Sequence, residues 1–446
     1  MPKQEITAHI DRVFALQRAS RTLRKAEDAE RRVARLAALR DAIVARIPQI
    51  EQALYDDLRK APNGGKGGEI AAVLGEVATA IEQLEHWMAP KPVAQSSYLP
   101  NTASHIQYEP RGVVLLLGAW NFPFALVLAP LVAIIAAGNS AIIKPNELQP
   151  ATSAVITELI GAVFDEQDIA VVEGGIEVAE YLQELPFDHV FFTGSPAIGK
   201  RVMAAAARHL TSVTLELGGK CPAVLDNNYD PNEAAAKVVG ARFNNAGQLC
   251  LSVDHVWVPR ALHEQFCAIL AAFIEKMFYV DGELSLERLP KIVNTRNLDR
   301  IQGYIDDATQ RGARVLRGGQ VDRESLTLHP TLLADVPLDA RIMQEEIFGP
   351  VLPVLAYDNL DQVINQIDST GKPLAMYIFS HDPAFVDQLL LGTSSGGVTV
   401  NHVMMHYAEK NLPFGGVNGS GMGRYHGHAG FLELSNARSI LIQQSA

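Results

Sequence analysis

"GVVLLLGAWNFPFALVLAPLVAIIAAGNSAIIKPNE", residues 112 to 147, is the stretch that decides the architecture. Two short aliphatic runs, GVVLLLGAW and SAIIKP, flank a longer apolar segment that reads as a helix from about Pro123 and stops at a glycine. Short continuous apolar runs suit strands buried on both faces, and a helix between two of them is the crossover of a parallel sheet. The pattern goes on downstream: a helix near 150 to 164, the run IAVVEG, a helix near 176 to 184, the run HVFFTG, then a helix from Pro196. Strands alternating with helices imply a parallel sheet covered on both faces, an α/β architecture of the nucleotide-binding type.

Upstream the chain is helical. Val33, Leu36, Leu39, Ile43, Ile47, Ile50, Leu54 and Leu58 recur at spacings of three and four, with Pro48 marking a break or a new first turn. "GEIAAVLGEVATAIEQLEHWMAP" continues the helical pattern to a proline, after which "PKPVAQSSYLPNTASHIQYEPRG" reads as extended segments and turns. Downstream, "SVTLELGGKCPAVL" leads into a second α/β series that begins near Gly218 and includes HVWVP, the helix ALHEQFCAILAAFIEKM, ARVLRGG, LDQVINQID and AMYIFS. The last thirty residues are glycine-rich and then apolar, as expected of a loop returning to an edge strand suited to subunit association.

Composition narrows the function. A chain of 446 residues, 48% apolar, exceeds what one core holds, so two large lobes are expected. Fifty acidic against thirty-eight basic residues give a formal charge of −12, and no dense Lys/Arg tract exists, which argues against nucleic acid as a partner. The basic residues Arg18, Arg21, Arg24, Lys25, Arg31, Arg32 and Arg35 are interleaved with glutamate and alanine and read as a solvated helix face. Cys221, Cys250 and Cys267 are odd in number and lack CxxC spacing, so neither a disulfide framework nor a metal site is suggested. "VLAPLVAIIAAG", residues 127 to 138, is too short to span a membrane, and the N-terminus is too polar for a secretory signal. A soluble cytoplasmic protein is expected.

Three residues stand out chemically. Cys250 closes the small, polar run "NNAGQLC", a setting that suits a presented nucleophile, although a free cysteine is also a common core residue. Glu216 in "LELGG" stands among apolar neighbours, where burial raises a carboxyl pKa and suits a general base; pairing with Lys220 or capping the next helix are the other readings. Asn121 in "GAWNFPF" serves either as an oxyanion donor or as a turn residue. "FFTGSPAIGK" places Gly194 and Gly199 at a strand-to-helix junction without GxGxxG spacing, and its helix N-terminus near Ser195 could receive a pyrophosphate.

Taken together, "PRGVVLLLGAWNFPF", "GNSAIIKPNE", "FFTGSPAIGK", "LELGGK", "NAGQLC", "EEIFGPVLPV" and "LPFGGVNGSGMGR" resemble, in order, the motifs of the NAD(P)-dependent aldehyde dehydrogenase superfamily. The segment "GKPLAMYIFS" and the tail "GRYHGHAGF" are similar to the short-chain, class 3-like branch, and within it most similar to coniferyl aldehyde dehydrogenases. The resemblance implies a Rossmann-like NAD(P)-binding lobe (residues 1–91 and 110–217), a second α/β catalytic lobe (218–424), and a small bridging β element (92–109 and 425–446) serving a homodimer. It implies Cys250 as nucleophile, Asn121 with the Cys250 backbone N–H as oxyanion donors, and Glu216 as the base that activates water. Glu346 would hold the nicotinamide ribose, with Phe348 beside the ring. Lys144 and Glu147 would meet the adenosine ribose and Ser195, beside Gly194, the pyrophosphate. Trp120, Gly174, Ile198 and Leu217 would line the groove. Glu147 would accept from a ribose 2′-hydroxyl and repel a 2′-phosphate, which favours NAD and leaves NADP open.

The implied reaction is oxidation of an aromatic or medium- to long-chain aliphatic aldehyde to its acid through a thiohemiacetal and a thioester. Met404, Met405, His406 and Tyr407 are either a substrate lining or packing residues. The rivals are a CoA-acylating enzyme, against which Glu216 speaks, a cofactor-binding protein without turnover, which would be expected to lack Cys250, Glu216 or Asn121, and a cysteine hydrolase, for which no histidine stands in a pairing context.

Overall fold

Two mainly parallel sheets and a small antiparallel one organise residues 3–444, the part of the chain that the computed structural model describes. Residues 1, 2, 445 and 446, which the expected division places in its first and last segments, lie outside the described residues.

In the first sheet, Val113–Leu117, Ser140–Lys144, Ile169–Val171, His189–Thr193 and Ser212–Glu216 run parallel. Val113–Leu117 lies centrally, with Ser140–Lys144 and then Ile169–Val171 on one side and His189–Thr193 and then Ser212–Glu216 on the other. Chain order therefore reverses between Val113–Leu117 and His189–Thr193, and a crevice opens at the carboxyl ends of strands at such a point. The three central strands are buried at every position, as their unbroken apolar runs require. Alternation across the sheet is strict: Val114 and Leu116 pack with the helix Ala125–Ala136, while Val113, Leu115 and Leu117 pack with Ile10, Val13 and Phe14 of the helix Lys3–Lys25.

Ala125–Ala136 is apolar on every side because it lies between the sheet and the helices Ala29–Ala45 and Gly68–Met88. It begins at Ala125 rather than Pro123, since the Glu69 carboxylate accepts the Phe124 and Ala125 N–H groups and fixes the first turn there. Pro48 sits in the first turn of Ile47–Leu58, where its missing N–H costs nothing. The basic run is only partly solvated: Arg32 is buried and donates to the Ala136 carbonyl, satisfying an orphan acceptor at that helix's end.

The second sheet holds seven strands in the order Arg314–Arg317, Thr331–Ala334, Val351–Tyr357, His255–Pro259, Pro222–Leu225, Ala375–Phe379 and Gly397–Val400, parallel except at its first edge. The small sheet pairs Thr102–Pro110 with Lys91–Val93 on one side and with Ser435–Gln443, through nine residues, on the other. Between sheets, the glycine-rich tail forms a short helix, Gly427–Glu433, where the sequence suggested only loop. Phe431 is its buried anchor, and Gly430 lets it approach Ala133. Just before it, Gly421–Met422 adds to the first sheet antiparallel to Ser212–Glu216.

Candidate active site

The residues expected to hold a dinucleotide lie at the carboxyl ends of the first sheet's strands. Trp120 and Asn121 follow Val113–Leu117, while Gly194 and Ser195 follow His189–Thr193, so these two loops flank the crevice at the point of reversal. Lys144 ends its strand, is buried, and pairs with Glu147, whose side chain is 43% exposed. Ser195 caps Pro196–Ala207, its hydroxyl accepting from the Ile198 N–H at 3.5 Å. That first turn presents Ile198, 40% exposed, next to the strand end that carries Leu217. Gly174 lies past the outermost strand at φ +154°, where a Cβ would strike Val178 at 2.4 Å. Across the crevice, Phe348 meets Trp120 edge-on, centroids 5.4 Å apart.

The second sheet presents the opposite ends of its strands. Gly218 and Gly219 precede Pro222–Leu225, Cys250 precedes His255–Pro259, and Glu346 precedes Val351–Tyr357. Asn245, Ala246 and Gly247 take left-handed backbone angles in succession, and a Cβ on Gly247 would lie 2.2 Å from the Gly349 carbonyl. This packing holds the cysteine loop against the loop carrying Glu346. Arg242, fully buried, ties the same two loops by donating to Ser252 Oγ at 3.2 Å, to the Val253 carbonyl at 3.3 Å and to the Gly349 carbonyl. Asp254 adds a second tie: Oδ1 accepts Lys220 Nζ at 2.5 Å and Oδ2 accepts the Ile347 N–H at 3.0 Å. Despite burial, Lys220, His255 and Arg242 hold the Asp254 carboxyl well below its ordinary range.

Cys250 is half-buried, its pKa pushed up to about 12 by burial and by the Glu346 and Glu216 carboxyls. A thiol held up in this way rests protonated at neutral pH. Glu216 is 3% exposed, and neither carboxyl oxygen has a hydrogen-bond partner among the described residues. Burial drives its pKa well above the ordinary value, with Arg424 opposing and Glu433 adding to the shift. The pairing with Lys220 considered from sequence does not form, because Lys220 turns into the second sheet and is taken by Asp254. Asn121 is buried, and its Nδ2 donates to the Gln248 carbonyl at 3.1 Å, two residues before the thiol. Cys267 is core; Cys221 donates its S–H to the Cys250 carbonyl at 3.3 Å. Met405 is exposed, whereas His406 and Tyr407 pack against Phe414.

Glu346 is half-buried at the mouth between sheets. Burial first, and the Asp254 charge second, push it up to about 8, against the Gly219 N–H, Lys220 and Arg300. Its Oε1 is enclosed without a partner among the described residues. An unfilled acceptor two residues before the Phe348 ring that meets Trp120, an exposed apolar side chain at a capped helix start, and a carboxylate at the neighbouring strand end fit a dinucleotide.

The "Aldehyde dehydrogenase family" model matches residues 5–440. The chain belongs to the aldehyde dehydrogenase family. The AldX protein of Bacillus subtilis (strain 168) is 42% identical over 99% of each chain. A Rattus norvegicus relative, "Aldehyde dehydrogenase, dimeric NADP-preferring", is 40% identical over 92% of this chain and 90% of its own. A Caulobacter vibrioides protein, "Probable coniferyl aldehyde dehydrogenase", is 38% identical over 97% and 90%. Among solved structures, substrate-bound AldH of Staphylococcus aureus superposes with a TM-score of 0.93 at 37% identity, covering 98% of this chain and 94% of that one. As an aldehyde dehydrogenase, the enzyme is an oxidoreductase acting on aldehydes with a nicotinamide cofactor. Among the described residues, no helix is long and apolar enough to cross a membrane.

Sequence reading missed Arg242, Asp254, Lys60 and Glu69, whose partners are distant in the chain. Only Asp254, a charge inside the apolar run "LSVDHVWV", carried a local signal.

Proposed function

We propose that the enzyme oxidises an aromatic, coniferyl-type, or medium- to long-chain aliphatic aldehyde to its carboxylic acid through a covalent adduct on Cys250. The observation that carries this reading is Glu216: a buried carboxyl with two unpartnered oxygens, at the strand end beside the cysteine loop. Such a group is costly to keep unless it is used.

Cys250 Sγ adds to the aldehyde carbonyl carbon as its proton passes to water, and the carbonyl oxygen becomes an oxyanion. Asn121 Nδ2 and the Cys250 backbone N–H donate to that oxygen. Nicotinamide, when bound, would supply the hydride acceptor, with Phe348 beside the ring and Trp120 lining the groove. Loss of hydride from the adduct leaves a thioester on Cys250. Glu216 takes a proton from water, the hydroxide oxygen attacks the thioester, and the acid leaves as the thiol is restored. Glu346 orients the nicotinamide ribose; Lys144, Glu147, Gly174, Gly194, Ser195, Ile198 and Leu217 hold the remainder of the dinucleotide. The exposed Glu147 carboxylate supports NAD, while the rat relative's name keeps NADP as a tested alternative.

The division into a cofactor lobe (1–91, 110–217), a catalytic lobe (218–424) and a bridging element (92–109, 425–446) belongs to this reading. So do a cytoplasmic location and a homodimer. The dimer is supported by the open edge of Ser435–Gln443, where Leu441 and Ile442 are half-exposed.

The test is the absorbance of reduced nicotinamide when the enzyme meets NAD, or separately NADP, with coniferaldehyde, benzaldehyde and hexanal, beside Cys250→Ala. Turnover should vanish in the variant, and the best aldehyde fixes the substrate class. Binding of NAD with no reduction by any aldehyde would leave a cofactor-binding protein instead.

A further inference from the structure

The N-terminal helices carry none of the family-like motifs, yet two of their charged side chains reach the loop that presents Asn121. Helix Ile47–Leu58 ends at Arg59, which adopts a left-handed conformation (φ 57°) and turns the next residue, Lys60, inward. Helix Gly68–Met88 places Glu69 in its first turn, 4% exposed. Lys60 Nζ donates to Glu69 Oε1 at 2.6 Å and to the Asn121 carbonyl at 2.7 Å, and it lies 3.9 Å from the Phe122 ring centroid. The other Glu69 oxygen accepts the Phe124 and Ala125 N–H groups, both at 2.9 Å. Asn245 Nδ2 reaches the same Asn121 carbonyl at 2.9 Å from the cysteine loop.

These contacts bracket the segment from Asn121 to Ala125. A carbonyl held by an ammonium and an amide fixes ψ of Asn121, and therefore the direction of its Cα–Cβ bond. The amide end of that side chain donates to the Gln248 carbonyl at 3.1 Å, two residues before Cys250, so a small rotation of the peptide is magnified at Nδ2. We propose that Lys60, anchored by Glu69, is a positioning residue that aims the Asn121 amide at the oxyanion. The inference rests on the oxyanion role given to Asn121 above. It assigns a task to helices that the sequence offered only as packing. It also accounts for a buried ion pair where an apolar pair of equal volume would serve stability as well.

The experiment follows the first-turnover burst of reduced nicotinamide, which reports adduct formation and hydride loss, in full-length protein with NAD and an aldehyde the parent oxidises. Lys60→Met keeps the stem and removes the charge; Glu69→Gln keeps the shape and removes the anchor. Either variant should lower the burst rate about 10- to 100-fold, somewhat less than the loss expected on removing an oxyanion donor itself. NAD affinity, read by tryptophan fluorescence, should stay within about twofold, because no contact to the dinucleotide is touched. The deciding arm is a double-mutant cycle. In an Asn121→Ala background, Lys60→Met should cost no further rate, since a residue acting through Asn121 has nothing left to aim.

Additive losses would show that Lys60 does not work through Asn121 and overturn the inference. So would a burst unchanged in both single variants. If Lys60→Met fails to fold, the same cycle is run with Glu69→Gln. If Asn121→Ala alone leaves the burst intact, the oxyanion assignment fails and takes the inference with it. If Asn121→Ala slows the burst and the Lys60 and Glu69 variants do not, the assignment stands and the inference alone falls.

Discussion

Replacing Gly218 with alanine tests the placement of Glu346 by a single methyl group. Gly218 has no left-handed φ, so alanine is compatible with its backbone. Its added Cβ, however, would lie 2.0 Å from Glu346 Oε2 and 2.5 Å from Cδ. To reach an ordinary contact of 3.4 Å the carboxylate must retreat by about 1.4 Å. The end of a flexible side chain can do this cheaply, so the fold survives while the acceptor moves. A displaced carboxylate no longer meets the ribose, and one charge-assisted hydrogen bond is worth about 1.5–3 kcal/mol. NAD should therefore bind about 10- to 150-fold more weakly to Gly218→Ala, and kcat should fall as the nicotinamide loses its aim. The assay is a fluorescence titration with NAD at pH 9, above the Glu346 pKa of about 8, with a thermal melt alongside. Parent-like affinity and turnover in a folded Gly218→Ala protein would refute both the ribose role of Glu346 and this account of the glycine.

Alkylation of Cys250 by iodoacetamide in the cofactor-free enzyme should rise about tenfold per pH unit from 7 to 10 without a plateau, given a thiol pushed up to about 12; a plateau near pH 8 to 9 would contradict it. Glu216→Gln should keep the first-turnover burst and lose about 10²- to 10⁴-fold in steady turnover, with acyl-enzyme visible by mass spectrometry; an equal loss in both phases would remove Glu216 from the hydrolytic step. The raised pKa of Glu346 means that the folded protein holds this proton more tightly than the unfolded chain does. Its stabilising contribution is thus complete below pH 4.5 and is lost as pH climbs through about 8. The cofactor-free parent should accordingly lose melting temperature relative to Glu346→Gln over that window, and parallel curves would show that the carboxyl is not perturbed.

Much of this was legible in the sequence because the informative signals are local. The runs VVLLL, SAIIK and HVFFT are buried at every position, as continuous apolar strands must be in a parallel sheet. The strand ends and the loops that follow them carry the expected Trp120, Asn121, Lys144 and Ser195 to one edge because every parallel strand ends there. What stayed hidden depends on neighbours remote in the chain. Glu216 and Lys220 are four residues apart, but Gly219 lies against the Pro373 backbone, with room for a Cβ only at 3.1 Å, and the chain crosses to the second sheet there. Lys220 consequently finds Asp254 and leaves Glu216 unpaired. Arg32 looked solvated because its period matches an exposed stripe, yet it meets the end of an apolar helix a hundred residues later. The Lys60–Glu69 pair had no local signature, since a cation nine residues before an acid is commonplace on a surface.

The return of Gly421–Met422 to the first sheet has a consequence for biogenesis. Glu216 pairs in register with Gly421, Leu217 donates to the Ser420 carbonyl, and Gly415 backs directly onto the carboxyl. Much of what covers this carboxyl is therefore translated long after it. At about 5–20 residues per second, a ribosome needs roughly 10–40 seconds to travel from Glu216 to that closing strand. Throughout that interval the sheet lacks this edge strand, and Glu216, the proposed base, lacks the cover that Gly415 and Gly421 provide. A chain stalled short of Gly421 lacks this side of the site, so Glu216 gains its cover only once that strand has been made.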